Sequence, residues 1–159
     1  MTMVSRLLVI SFTYLYGGNM LQTSLGIVAV NVNETITYVD VSTVIEVGVE
    51  VKEGYHIQAN KVSDESLIPT TLQVNNTEFI TINKQEFPPS KQFKLEGTDS
   101  FLNVYDGKFL IKLFLTPVAE TKVGKYILSA KLRYQACDSK SCLFPRVIDF
   151  SIPVEVKTK

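Results

Sequence analysis

An all-β sandwich of antiparallel strands is the fold this 159-residue sequence predicts, and three observations predict it. Apolar residues recur with period two in four long rows, the spacing of strands that bury one face. Turn-forming stretches separate the rows at short intervals. No segment of ten or more residues carries an apolar stripe at helical spacing.

Taken in order, the first strand candidate is Val28–Val32, a short apolar run. The clearest row follows: Ile45, Val47, Val49 and Val51 alternate with Val44, Glu46, Gly48 and Glu50. Residues 72–74 and 79–82 are shorter candidates on either side of the turn at Asn75, Asn76 and Thr77. After a second turn at Tyr105-Asp106-Gly107, Phe109, Ile111, Leu113 and Leu115 alternate with Leu110, Lys112 and Phe114. Leu128, Ala130, Leu132, Tyr134 and Ala136 then alternate with Ser129, Lys131, Arg133 and Gln135. The last row is Ile148, Phe150, Ile152, Val154 and Val156, with Asp149, Ser151 and Glu155 facing out.

Rows with one apolar and one polar face pack as two sheets over a single core, an immunoglobulin-like arrangement. Ile45, Val47, Val49, Leu113, Leu132, Phe150 and Ile152 are expected to point into it. A chain of this length buries such a core without a covalent staple. The same parity carries Cys137 onto the outward row of Ser129, Lys131, Arg133 and Gln135, as an exposed thiol.

Residues 1–24 read separately from the sandwich domain expected over 25–159. Arg6 followed by the apolar run 7–16 has the order of an export signal. Ser11 and Thr13 dilute the run and no A-x-A cleavage site follows, so a poorly ordered N-terminus is the competing reading. Gly17-Gly18-Asn19 ends the run well short of the roughly 20 apolar residues of a spanning helix.

Sixteen basic and sixteen acidic residues cancel without any block of like charge. This leaves no cationic footprint for nucleic acid or an anionic membrane. Two cysteines and one histidine are too few for a closed structural zinc site, and no cofactor or metal is expected. Gly-x-Ser-x-Gly, phosphate-loop and His-Glu-x-x-His patterns are absent, which disfavours hydrolase and transferase chemistry. The sequons at Asn33 and Asn75 read as chance matches.

Cys137 and Cys142 flank four polar residues between the two strongest rows of the C-terminal half. A loop of that size sets its flanking strand residues opposite one another, near enough for a disulfide. As a staple the bond does little. A six-residue ring is worth about 2 kcal/mol by chain entropy, against about 3 kcal/mol for fifteen residues. Spacing alone leaves a redox-active pair, a structural staple and a metal half-site open, because C-x4-C is less specific than C-x-x-C.

The run Tyr134-Gln135-Ala136-Cys137, a polar loop, Cys142-Leu143-Phe144-Pro145, and a strand ending Ile152-Pro153-Val154-Glu155-Val156 resembles the active-site hairpin of the DsbD N-terminal domain family. Two further stretches match in order: Gly54-Tyr55-His56-Ile57 with Leu67-Ile68-Pro69-Thr70, and Leu102-Asn103-Val104-Tyr105-Asp106-Gly107. The resemblance covers about residues 28–157.

It implies an immunoglobulin-like, periplasmic or otherwise extracytoplasmic domain that exchanges disulfides with thioredoxin-like oxidoreductases, as a protein-disulfide reductase component. Because the chain ends at Lys159 without a membrane region or a second domain, the electron donor is expected to be a separate chain. The resemblance also implies a cap over the cysteines, with Tyr105 and Asp106 as its candidates; an ordinary edge-of-core tyrosine at a turn is the competing reading of Tyr105. It sets His56 and Tyr55 beside the hairpin as assisting residues. Parity puts His56 on the face opposite Tyr55 and Ile57, where an ordinary solvated histidine is the competing reading. Finally, it maps the partner-bonded cysteine onto Cys142, against the parity argument for Cys137. The alternative function is an immunoglobulin-like binding module in which the disulfide only braces a hairpin.

Overall fold

Each period-two row becomes a strand of one of two large sheets in the computed structural model, which describes residues 21–24 and 26–158. The first sheet has the order β1 (Leu21–Ser24), β2 (Val28–Val32), β4 (Thr43–Val51), β10 (Lys108–Pro117) and β7 (Ile80–Glu86). The second runs β3 (Thr35–Tyr38), β13 (Arg146–Lys157), β11 (Gly124–Tyr134) and β6 (Thr71–Val74). Residues 1–20 of the signal-like segment lie outside the described residues, whereas residues 21–24 pair with β2. Among the described residues no helix is long and apolar enough to cross a membrane.

Register follows from the apolar faces. On β4 and β10, Ile45 lies opposite Leu113 and Val47 opposite Ile111. On β11 and β13, Leu128 lies opposite Ile152 and Leu132 opposite Ile148. A one-residue slip would turn every one of these side chains to water. Ile45, Val47, Val49, Leu113, Leu132 and Ile152 are all buried in one cluster. Burial of a side chain of this size contributes about 1.5–3 kcal/mol. Phe150, expected among them, packs against the cluster but is only half-buried. Alternation sets the direction of a side chain, not its depth.

The architecture departs from a purely antiparallel pair of sheets in two ways. After β2 the chain crosses at Asn33-Glu34 to the opposite sheet, where β3 pairs parallel to β13. A third sheet, moreover, lies outside the sandwich proper. Its order is β12 (Ala136–Cys137), β5 (His56–Gln58), β9 (Phe101–Tyr105) and β8 (Lys91–Lys94).

The third sheet exists because the row of β11 breaks at Gln135. Its carbonyl accepts from the Gln58 backbone N–H at 3.0 Å. Its side chain accepts from Ile68 N–H at 2.9 Å and donates to the Leu143 carbonyl at 3.2 Å. Beyond Gln135 the chain therefore pairs with β5 instead of continuing as β11. All three residues of β5 are buried, because both faces of this strand are covered. Ile57, paired with Ala136 and Tyr105, belongs to the main core. His56 and Gln58 point the other way, toward a second cluster of Leu102, Val104 and Cys137.

Candidate functional site: the cysteine hairpin and its platform

Cys137 and Cys142 are disulfide-bonded with their Cα atoms 3.9 Å apart. The hydrogen bonds on either side explain so close an approach. Leu143 N–H donates to Ala136 O at 2.7 Å, and Asp138 N–H donates to Ser141 O at 3.0 Å. The cysteines between these two pairs form a non-hydrogen-bonded cross-strand pair, the type in which opposite residues come closest. The turn is held by Asp138, whose Oδ1 accepts from Lys140 N–H and Ser141 N–H, each at 2.8 Å. Those two backbone bonds lower the pKa of Asp138 below its ordinary value.

β5 is the platform on which the bonded sulfurs rest. His56 is the ladder partner of Cys137, so the imidazole and the sulfur occupy the same face. The ring of His56 lies 3.7 Å from that of Phe93, centroid to centroid, and its Nε2 has no hydrogen-bond partner among the described residues. Burial lowers the pKa of His56 below 6.5, while Asp106 and Asp138 pull it the other way. Instead of a solvated cation, this is an enclosed imidazole held toward its neutral form. Two positions along, Gln58 directs its amide N–H at both sulfurs, 3.2 Å from Cys137 Sγ and 3.7 Å from Cys142 Sγ. Its Oε1 has no partner among the described residues.

The two sulfurs differ in access. Cys137 is 0% exposed, which overturns its reading as the exposed thiol. It does lie on the face opposite Ala136, as parity requires, but that face is closed by the third sheet and by Leu67, Phe93 and Leu95. Cys142 is only half-buried. It lines a surface pocket of about 390 Å³ with Gln135, Leu143, Phe144, Pro145 and Arg146. Beside it Phe144 is 90% exposed, an unusual position for an aromatic ring on a hairpin flank.

The remaining sequence candidates divide between the two faces. Tyr105, expected as a lid over the sulfurs, shares a face with Ile57 and sits in the main core. Its ring is 4.8 Å from that of Phe109, and its hydroxyl donates to Asn60 Oδ1 at 2.6 Å. Tyr55 likewise packs against the main core. Asp106 is exposed, bonded to Lys91 Nζ, and near enough to His56 to act on its charge. The residues against the sulfurs that sequence reasoning passed over are Gln58 and Phe93. A signal for Gln58 was present, since it stands two residues from His56 and shares its face. Phe93 sits on a four-residue strand with no apolar alternation to mark it.

The sequence pattern of the family described as "Thiol:disulfide interchange protein DsbD, N-terminal" matches residues 28–152. No curated protein sequence matches the chain. Among solved structures, the crystal structure of the N-terminal periplasmic domain of ScsB from Proteus mirabilis is similar in fold. The TM-score is 0.58 at 14% identity, over 87% of this chain and 50% of that one. The chain thus spans half the length of that protein chain. The family match begins at the first residue of β2 and takes in β5, β9, the cysteine hairpin and most of β13. The whole site lies inside it, and the chain belongs to the DsbD N-terminal domain family.

Proposed function

We propose that this domain exchanges disulfides outside the cytoplasm, carrying two electrons between thioredoxin-like proteins through Cys137 and Cys142. Family membership supports the exchange chemistry, and the periplasmic origin of the similar ScsB domain supports the compartment. The observation that carries the reading is the difference in access between two bonded sulfurs. Cys142 opens onto a pocket, whereas Cys137 is enclosed. A bond that served only as a brace gains nothing from exposing one sulfur.

In this reading a donor thiolate attacks Cys142 Sγ, the intramolecular S–S bond breaks, and its electron pair leaves on Cys137 Sγ. A second donor thiolate then releases the mixed disulfide, leaving the domain reduced and the donor oxidised. Toward a client the order reverses: the Cys142 thiolate attacks the client disulfide, and the Cys137 thiolate resolves it. Cys142 forms the mixed disulfide in both directions.

Trapping tests the assignment. Cys137→Ser is expected to accumulate a covalent complex with a thioredoxin-fold partner, and Cys142→Ser is not. The reverse pattern would assign the attack to Cys137. No complex from either variant, with a reduction potential below about −300 mV, would mark the bond as a structural brace.

A further inference from the structure

We propose that Gln58 is a catalytic hydrogen-bond donor that holds the negative charge on Cys137 when the disulfide opens. The inference rests on the exchange reading above and assigns the group that receives the leaving thiolate.

The problem is set by burial. Cys137 is fully enclosed among Leu102, Val104, Leu67, Phe93 and Leu95, none of which offers a side-chain donor. A thiolate formed in such surroundings is strongly disfavoured unless something donates to it. Among the described residues, charged or titratable groups reach this region from four elements. They are His56 of β5, Asp106 after β9 with its partner Lys91 of β8, and Asp138 and Lys140 of the hairpin. Burial holds His56 toward neutrality, and the two carboxylates oppose a negative sulfur.

Gln58 is the group aimed at the sulfur. Its Nε2 is 3.2 Å from Cys137 Sγ and its side chain is fully buried. The backbone is fixed on both sides, donating to Gln135 O at 3.0 Å and accepting from Thr70 Oγ1 at 2.5 Å. In the disulfide state this amide is poorly used. Its N–H faces bonded sulfur, a weak acceptor, and its Oε1 has no partner among the described residues. An apolar side chain of the same length would fill the space without burying an unsatisfied carbonyl. The arrangement gains when the S–S bond breaks, because the same N–H then meets a charged acceptor.

The step balances without an added proton. As the incoming thiolate bonds to Cys142 Sγ, the S–S electron pair passes to Cys137 Sγ, which accepts the Gln58 N–H. When Cys137 later attacks Cys142 Sγ of the mixed disulfide, the Cys142–client S–S bond breaks, its electron pair leaves on the client thiolate, and Cys137 surrenders the Gln58 hydrogen bond.

The test uses the full chain. In a Cys142→Ser background, Cys137 is the lone thiol and its ionisation is followed by thiolate ultraviolet absorbance. Adding Gln58→Met, a near match in length, is expected to raise the titration midpoint by about one pH unit or more. With both cysteines present, Gln58→Met is expected to slow reduction by dithiothreitol roughly tenfold or more. A folded variant in which neither quantity moves overturns the proposal. Should Gln58→Met not fold, the Gln58 side-chain amide resonances of the Cys142→Ser protein are followed by NMR as Cys137 ionises. A downfield proton shift that tracks the titration supports the proposal, and an amide indifferent to it overturns it. Neither titration needs a partner protein, so failed trapping would sink the exchange reading alone, and a midpoint and reduction rate that both stay unmoved would sink Gln58 alone.

Discussion

His56 and Cys137 face each other across the β5–β12 ladder, so the molecule's single histidine lies against the enclosed sulfur. The enclosure has a consequence for pH. Burial depresses the histidine pKa below 6.5, against the pull of Asp106 and Asp138. The folded state therefore binds fewer protons than the unfolded one in this range, and stability rises with pH. It is complete above about pH 6.5 and declines as pH falls through the folded-state pKa. The carboxylate of Asp138, whose pKa is itself lowered from 3.8, contributes its own loss only below that value. Urea unfolding is expected to give a lower midpoint near pH 5 than near pH 7.5, and His56→Gln is expected to flatten that difference.

Phe144 separates contact with a partner from the chemistry at sulfur. At 90% exposure it contributes almost nothing to the folded core, so Phe144→Ala should change stability by less than about 0.5 kcal/mol. An exposed aromatic ring beside the accessible sulfur of Cys142 is the kind of anchor that partner binding uses. Exchange with a thioredoxin-fold partner is expected to slow by roughly tenfold, while reduction by dithiothreitol stays within error of wild type. Equal slowing of both would refute a docking role.

Shielding of the disulfide is expected to reside in Phe93, not Tyr105. Phe93→Ala removes a ring from the cluster around Cys137 and from the face of His56, and should speed attack by small thiols several-fold. Tyr105→Phe deletes only the bond to Asn60 in the opposite cluster. It should cost about 1 kcal/mol of stability and leave that rate unchanged. Stopped-flow reduction of the two variants checks both.

Gln135 is expected to govern how firmly the hairpin is attached. Gln135→Leu leaves Ile68 N–H and Leu143 O without their side-chain partners. The expected loss is about 1–3 kcal/mol in urea unfolding, with faster alkylation of Cys137 in the reduced protein. Unaltered alkylation would mean that the ladder to β5 alone holds the hairpin.

Much of this fold was legible along the chain because strand geometry is written with period two. The rows of β4, β10, β11 and β13 met in the register their apolar faces required. The short strands β3, β5, β8 and β9 carry no such row, and their pairing depends on residues far away in sequence. Tyr105-Asp106-Gly107 marks a turn by composition, but the face Tyr105 occupies hangs on the register of β9 against β5.

The information carried along the chain is local. Alternation fixed which side chains share a face, because successive residues of a strand point in opposite directions. A four-residue loop brought Cys137 and Cys142 together, because a short hairpin sets its ends opposite one another. What each face meets depends on strands that arrive from elsewhere in the chain. Cys137 stands on the row that parity sends outward, yet β5 arrives from 79 residues away, measured from Gln58, and closes that side. Enclosure is a property of two surfaces, and a period counted along one strand cannot report the second.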